Sequence, residues 1–149
     1  HIMDDLTKSL KTSLATTFAF YLKAQYFHWN VEGVEFYQYH KMFGDIYEDT
    51  YGSIDRLAEH IRALNAYAPG SFKRLSELSK IEDEATKIPD SHEMIERLIS
   101  DNEKLLDSLN ETMKLAETHN KQGLMNYLGE RIEQHNKWGW FLRASKKEQ

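Results

Sequence analysis

Residues 67–89, YAPGSFKRLSELSKIEDEATKIP, hold both prolines of the chain and divide it into two long helical halves. Their length decides the topology. Extended at ~3.3 Å per residue the segment covers ~75 Å, whereas the helix before it is only ~46 Å long at ~1.5 Å per residue. A full crossover along the molecule is therefore affordable, and the helices on either side of it can run parallel. The other interhelical links are only a few residues long and force antiparallel neighbours. This combination predicts an all-α four-helix bundle with one long crossover. Within the crossover, Phe72, Leu75 and Leu78 at spacing three predict a short amphipathic helix, whose apolar face needs a covering surface in another copy of the chain.

Working outward, Leu6, Leu10, Leu14, Phe18 and Tyr21 recur at spacings of three and four with no glycine before Gly33, which predicts helix A from Asp4 to Asn30. After a break at Val31, Glu32 and Gly33, helix B carries the stripe Phe43, Ile46, Ile54, Leu57, Ile61 and Leu64 and ends before Pro69 and Gly70. Gly44 and Gly52 weaken it without ending it, since the apolar period continues through both. Helix C starts at an Asp90 or Ser91 cap and runs through Ile95, Leu98, Leu105, Leu109 and Ala116. Helix D follows a polar break at 119–122 and places Leu124, Leu128, Ile132, Trp138 and Leu142 inward. Residues 4–146 read as a single domain, with residues 1–3 as an expression remnant ahead of an initiator Met3.

Composition removes whole classes of chemistry. Without cysteine there is no disulfide, thiolate metal site or cysteine nucleophile, so any metal must be held by His, Asp or Glu. A formal charge of −5 argues against a general nucleic-acid binder. No apolar run reaches the length of a membrane span and no secretory signal is recognisable, so the expectation is a soluble cytoplasmic protein, with nucleoid association left open.

Two pairs of side chains remain as candidate ligands. His28 and His40 flank the short A to B turn, so antiparallel packing brings them side by side. Asp55 and Glu59 stand one turn apart on helix B and share a face. Fifteen residues of helix, ~22 Å, separate His40 from Asp55, too far for one ion to hold ligands at ~2.0 to 2.2 Å from both. The pairs can meet only across a two-fold axis, which would give two equivalent sites per dimer. The Glu-x-x-His pattern of bundle-centred di-iron proteins is absent from the sequence.

The string Lys23-Ala24-Gln25, His28-Trp29-Asn30, Gly33, Phe36 and His40, followed by Asp55, Ala58 and Glu59, resembles the signature of the Dps family, or miniferritins, within the ferritin-like superfamily. Ser71-Phe72 and Glu77-Leu78 resemble its crossover helix, and Trp140-Phe141-Leu142-Arg143-Ala144 its last helix. The resemblance implies a hollow dodecamer built from two-fold dimers. It implies ferroxidase sites at the dimer interface, where His28 and His40 of one chain and Asp55 and Glu59 of another bind iron. It also implies oxidation of Fe(II), preferably by hydrogen peroxide, with storage of the ferric product and protection against oxidative stress. Imidazole and carboxylate suit both iron oxidation states and leave positions open for the oxidant. Trp29, beside His28, reads either as an electron donor or as a core or interface aromatic.

Three positions depart from the family pattern. Gly44 stands where an Asp commonly follows the second His by four residues, leaving Asp45 or Glu48 as substitutes. Gln122 and Asn126, with Glu130 beyond, replace acidic residues expected at the iron-entry pores. Lys8, Lys11, Arg143, Lys146 and Lys147 make only thin basic arms, so DNA binding is expected to be weak or absent. The alternative function is a DNA-compacting or structural shell with a vestigial metal site. His60, His92, His119 and His135 read as surface or core histidines, His135 as a hydrogen-bonded core residue. The aromatics Phe18, Phe20, Tyr21, Tyr26 and Phe27 read as packing.

Overall fold

Hydroxyl side chains and ion pairs fix which helices lie together. In the computed structural model, residues 3–83 and 86–147 are described, and His1 and Ile2 of the expected remnant lie outside them. The elements are α1 (Asp4–Asn30), α2 (Phe36–Ala63), α3 (Phe72–Leu78), α4 (Ser91–Thr118) and α5 (Gln122–Lys146). On the α1 to α4 seam, Ser9 Oγ lies 2.6 Å from Thr112 Oγ1 and Ser13 Oγ lies 2.8 Å from Ser108 Oγ, so the two helices are antiparallel. Between α2 and α5 the same sense follows from Tyr39 donating to the carbonyl of Ser145 and Tyr127 donating to that of Ser53. With α1 antiparallel to both α2 and α4, the latter two run parallel, as the long crossover requires.

Local signals explain the helix ends. The Asp90 side chain accepts from the Glu93 amide at 2.9 Å and caps α4, and Ser71 caps α3 by accepting from Arg74 at 3.1 Å. Helix α2 stops at Ala63, earlier than Pro69 demands, because Asn65 takes a left-handed φ of 64° and the amide of Ala66 turns back to the carbonyl of Ile61. Asn120, at φ 55°, plays the same part after α4.

The core lies between the four long helices. Leu6, Leu10, Phe20 and Phe27 of α1 share the core with Phe43, Ile46, Leu57 and Ile61 of α2, Leu98, Leu105 and Leu109 of α4 and Leu124, Leu128 and Leu142 of α5, all buried. Each such side chain contributes about 1.5 to 3 kcal/mol through apolar area removed from water. Phe27→Ala alone costs about 3 to 5 kcal/mol. The crossover helix divides its apolar residues: Leu75 is buried against α1, Leu78 is half-buried and Phe72 is 84% exposed. Among the described residues, no helix is long and apolar enough to cross a membrane.

Candidate metal centre

The α1 to α2 turn brings the two predicted histidines into contact. Their rings stack at 3.8 Å between centroids and 16° between planes. His28 Nδ1–H donates to the carbonyl of His40 at 2.6 Å, and His40 Nδ1–H donates to the carbonyl of His28 at 2.6 Å. A carbonyl oxygen can only accept, so both Nδ1 atoms carry the proton, and in the neutral rings both Nε2 atoms keep a lone pair. An imidazole whose second nitrogen is tied to a backbone carbonyl is oriented and held in the tautomer that ligates metals. Phe36 stacks on the outer side of His40 with centroids 5.0 Å apart, and Tyr47 lies 5.2 Å from the ring of His28.

Gly44 is buried below the pair, and a Cβ placed there would lie 3.2 Å from Cε1 and Nδ1 of His28. A side chain at this position collides with the imidazole unless the ring moves. Of the two substitutes, Asp45 is exposed and 3.6 Å from Lys41, and Glu48 is exposed.

Asp55 and Glu59 are exposed in the lower half of α2, well along the helix from the histidines. Within one chain, no group of three or more His, Asp or Glu able to hold an ion occurs among the described residues. The structure thus brings His28 and His40 together and leaves Asp55 and Glu59 apart from them. Trp29 is 62% exposed and does not belong to the chain's own core. It borders a cavity of about 300 Å³ with Leu22, Lys23, Tyr26 and Glu82.

Three other histidines have structural partners, and His92 is exposed. His135 is fully buried: its Nδ1–H donates to Asn102 Oδ1 at 3.0 Å and its Nε2 accepts from Arg131 at 3.0 Å. Burial, reinforced by the Arg131 charge, pushes its pKa down to about 3. His60 stacks on Tyr127, and burial together with Arg56 lowers its pKa. His119 pairs with Asp5 at 3.0 Å. At the start of α5, Gln122 donates to Asn126 at 3.0 Å, and both are exposed. Of the basic arms, Lys146 is engaged by Glu96 at 3.0 Å.

Two buried polar clusters escaped the sequence reading. Lys23 sits 2.6 Å from Asp101 with both side chains buried, which gives the first residue of the signature string a structural role. Arg131 grips Asp49 through two bonds of 2.9 and 2.8 Å, and Trp138 Nε1 donates to the same carboxylate at 2.8 Å. Burial raises the Asp49 pKa, but the Arg131 and Trp138 bonds outweigh it and hold the carboxyl below the ordinary range. These partners stand more than eighty positions apart in the chain, so only a register argument across helices could have found them.

Similarity to known proteins extends along nearly the whole chain. The model for the ferritin-like domain matches residues 7–147. DNA protection during starvation protein 2 of Bacillus anthracis is 28% identical over 135 residues, spanning 91% of this chain and 92% of that protein. The DNA protection during starvation protein of Helicobacter pylori is 26% identical over 135 residues, spanning 91% and 94%. The crystal structure of the DPS protein from Vibrio cholerae O1, described as a member of a broad superfamily of ferritin-like diiron-carboxylate proteins, superposes with a TM-score of 0.91 at 29% identity, covering 98% of this chain and 91% of that one. The chain belongs to the ferritin-like family and, within it, to the Dps family.

Proposed function

We propose that the protein is a miniferritin ferroxidase: it oxidises Fe(II), with hydrogen peroxide as oxidant, stores the ferric product in a hollow dodecameric shell and so protects against oxidative stress. Residues 4–146 act as one domain. Iron is the substrate, taken up between two chains, with His28 and His40 supplied by one and Asp55 and Glu59 by the other. The observation that carries this reading is the reciprocal pair of Nδ1 to carbonyl bonds, which leaves two preoriented Nε2 lone pairs on rings 3.8 Å apart. The exposure of Asp55 and Glu59 supports it as well, since carboxylates destined for a partner's ion must lie on the surface of their own chain. In the reaction the imidazoles hold the ion as neutral donors, and the carboxylates balance the added charge of the ferric product. Trp29, adjoining His28 in sequence, serves as a second source of electrons near the site.

Complementation tests the shared site. His28→Ala and Asp55→Ala assemblies should each lose Fe(II) oxidation. Shells reassembled from both should regain part of it, because a mixed dimer holds one intact and one doubly damaged site. No recovery in verified mixed shells would sink the two-chain geometry. DNA binding is expected to be weak at physiological salt, since the net charge is negative and Lys146 is already engaged. A tight gel-shift under those conditions would favour the DNA-compacting alternative.

A further inference from the structure

The α1 to α2 seam below the histidines is lined by tyrosine. From His28 the ring of Tyr47 is 5.2 Å away, Tyr21 lies 6.2 Å from Tyr47, and Tyr51 lies 5.1 Å from Tyr21, each pair tilted by 50° to 53°. Tyr21 donates its phenolic proton to Gln25 Oε1 at 2.5 Å, and Tyr51, 61% exposed, opens onto the helix face that also bears Asp55 and Glu59. The succession is one-dimensional, with no gap wider than neighbouring rings. Ring packing does not itself require a phenol, and a phenol can give up one electron and its proton where a phenyl ring cannot.

The other half of the argument is Gly44. The side chain that would add a carboxylate beside the histidines is missing, and its space is taken by the His28 ring. Each histidine pair is thereby suited to one ion. One Fe(II) supplies one electron, whereas closing hydrogen peroxide down to two hydroxides takes two. A lone ion meeting peroxide would release a hydroxyl radical unless a side chain near it gives the second electron.

We propose that Tyr47, Tyr21 and Tyr51 form an electron relay that joins the two iron sites of a dimer, so that two one-iron sites act together on one peroxide. This rests on the shared-site reading above. If the His40 level of one α2 faces the Glu59 level of the other across a two-fold, the axis crosses α2 between Asp49 and Thr50, and Tyr47 and Tyr51 flank it in both chains. The relay of one chain then abuts that of its mate. The balance is 2 Fe(II) + H2O2 → 2 Fe(III) + 2 OH−. The O–O bond breaks at one site, taking one electron from its own iron and one from Tyr47, whose phenolic proton turns one of the two hydroxides into water until the electron is restored. The vacancy passes through Tyr21 and Tyr51 to the mate and is filled by the second iron. Each phenol recovers its proton when its electron is restored, so the tyrosines end unchanged.

Iron loading separates this relay from mere packing. The assembled full-length protein is loaded anaerobically with Fe(II) at one ion per two chains or one per chain, mixed with one peroxide per two chains, and freeze-quenched for EPR. At half loading the vacancy has no second iron to fill it, so a tyrosyl radical should accumulate and its spectrum should narrow with ring-deuterated tyrosine. At full loading the signal should fall several-fold. In Tyr51→Phe the full-loading signal should persist, half of the Fe(II) should remain unoxidised, and wild-type protein should not share either property. Equal radical yields at the two loadings, or a signal indifferent to tyrosine deuteration, would overturn the relay. If the variant does not assemble, the loading contrast in the wild type decides alone. An anaerobic titration distinguishes the two levels of failure: no Fe(II) bound by the wild type defeats the site and the relay together, while Fe(II) bound and oxidised without a tyrosyl radical defeats only the relay.

Discussion

His28 and His40 at the α1 to α2 turn, and His135 in the middle of α5, show how differently one residue type is used at two places in one bundle. At the turn, one nitrogen of each ring is tied to backbone and the other is left with a lone pair. In the core, both nitrogens of His135 are spent on Asn102 and Arg131, and burial keeps the ring neutral down to a pKa of about 3. Burial by itself does not separate a ligand from a structural histidine. What separates them is whether a lone pair is left over after the protein's own hydrogen bonds are counted.

The largest effect should come from breaking the core side of this contrast. Arg131→Met leaves Asp49 with a single donor and His135 Nε2 without one, and should destabilise the chain by about 3 to 5 kcal/mol, read from denaturant midpoints. Iron binding per folded chain should be preserved. A loss of stability below about 1 kcal/mol would mean that Asp49 and His135 find water in place of Arg131.

Acid should act on the same cluster. His135 is neutral in the folded chain to about pH 3, while in the unfolded chain it titrates near 6.5. Between these values the unfolded state binds the extra proton, so this contribution is whole above pH 6.5 and is lost as pH falls toward 3, at about 1.4 kcal/mol per pH unit. Asp49, with its lowered pKa, adds a loss that begins as pH falls through the ordinary carboxyl value of 3.8 and continues below it. Urea midpoints at pH 7, 5.5 and 4.5 check the slope, and His135→Gln should flatten it. A slope unaltered in that variant would assign the acid sensitivity elsewhere.

On the turn side, His28→Ala should leave the fold nearly as stable while weakening Fe(II) binding by about a hundredfold, the upper range even for groups that only support a ligand. Isothermal titration under anaerobic conditions gives both numbers when paired with a melting curve. The smallest and most discriminating change is Gly44→Ala. Helix propensity alone should raise stability by up to about 1 kcal/mol. The added Cβ at 3.2 Å should displace the His28 ring and lower iron affinity by about tenfold, the lower end of the range for disturbed ligand support. Parallel changes in stability and affinity would contradict the close approach.

The parts that were legible in the sequence depend on near neighbours in the chain. Helix α1 from Asp4 to Asn30, the Asp90 cap and the short crossover helix follow from spacing and capping residues. His28 and His40 could be brought together on paper because a turn of five residues joins their helices. Lys23 with Asp101 and Asp49 with Arg131 depend on the rotation and register of helices far apart in sequence, which periodicity does not specify. Tyr21 read as packing for a related reason: an aromatic in a helical stripe looks the same whether it fills a core or stands in a row with Tyr47 and Tyr51. The stripe Ile54 of α2 was also only half right in its facing, since Ser53 rather than Ile54 is the buried neighbour at that level.

The contact at Gly44 also bears on how such a protein changes over generations. Because any side chain at 44 would meet the His28 ring at 3.2 Å, the two positions are not free to vary independently. An aspartate introduced at 44 in this background arrives where the imidazole already sits, and is penalised before it can offer a carboxylate. A compensating shift of the turn must come first or at the same time. Positions 28 and 44 are therefore coupled: the effect of an aspartate at 44 is set by whether the His28 ring gives way by a few tenths of an ångström.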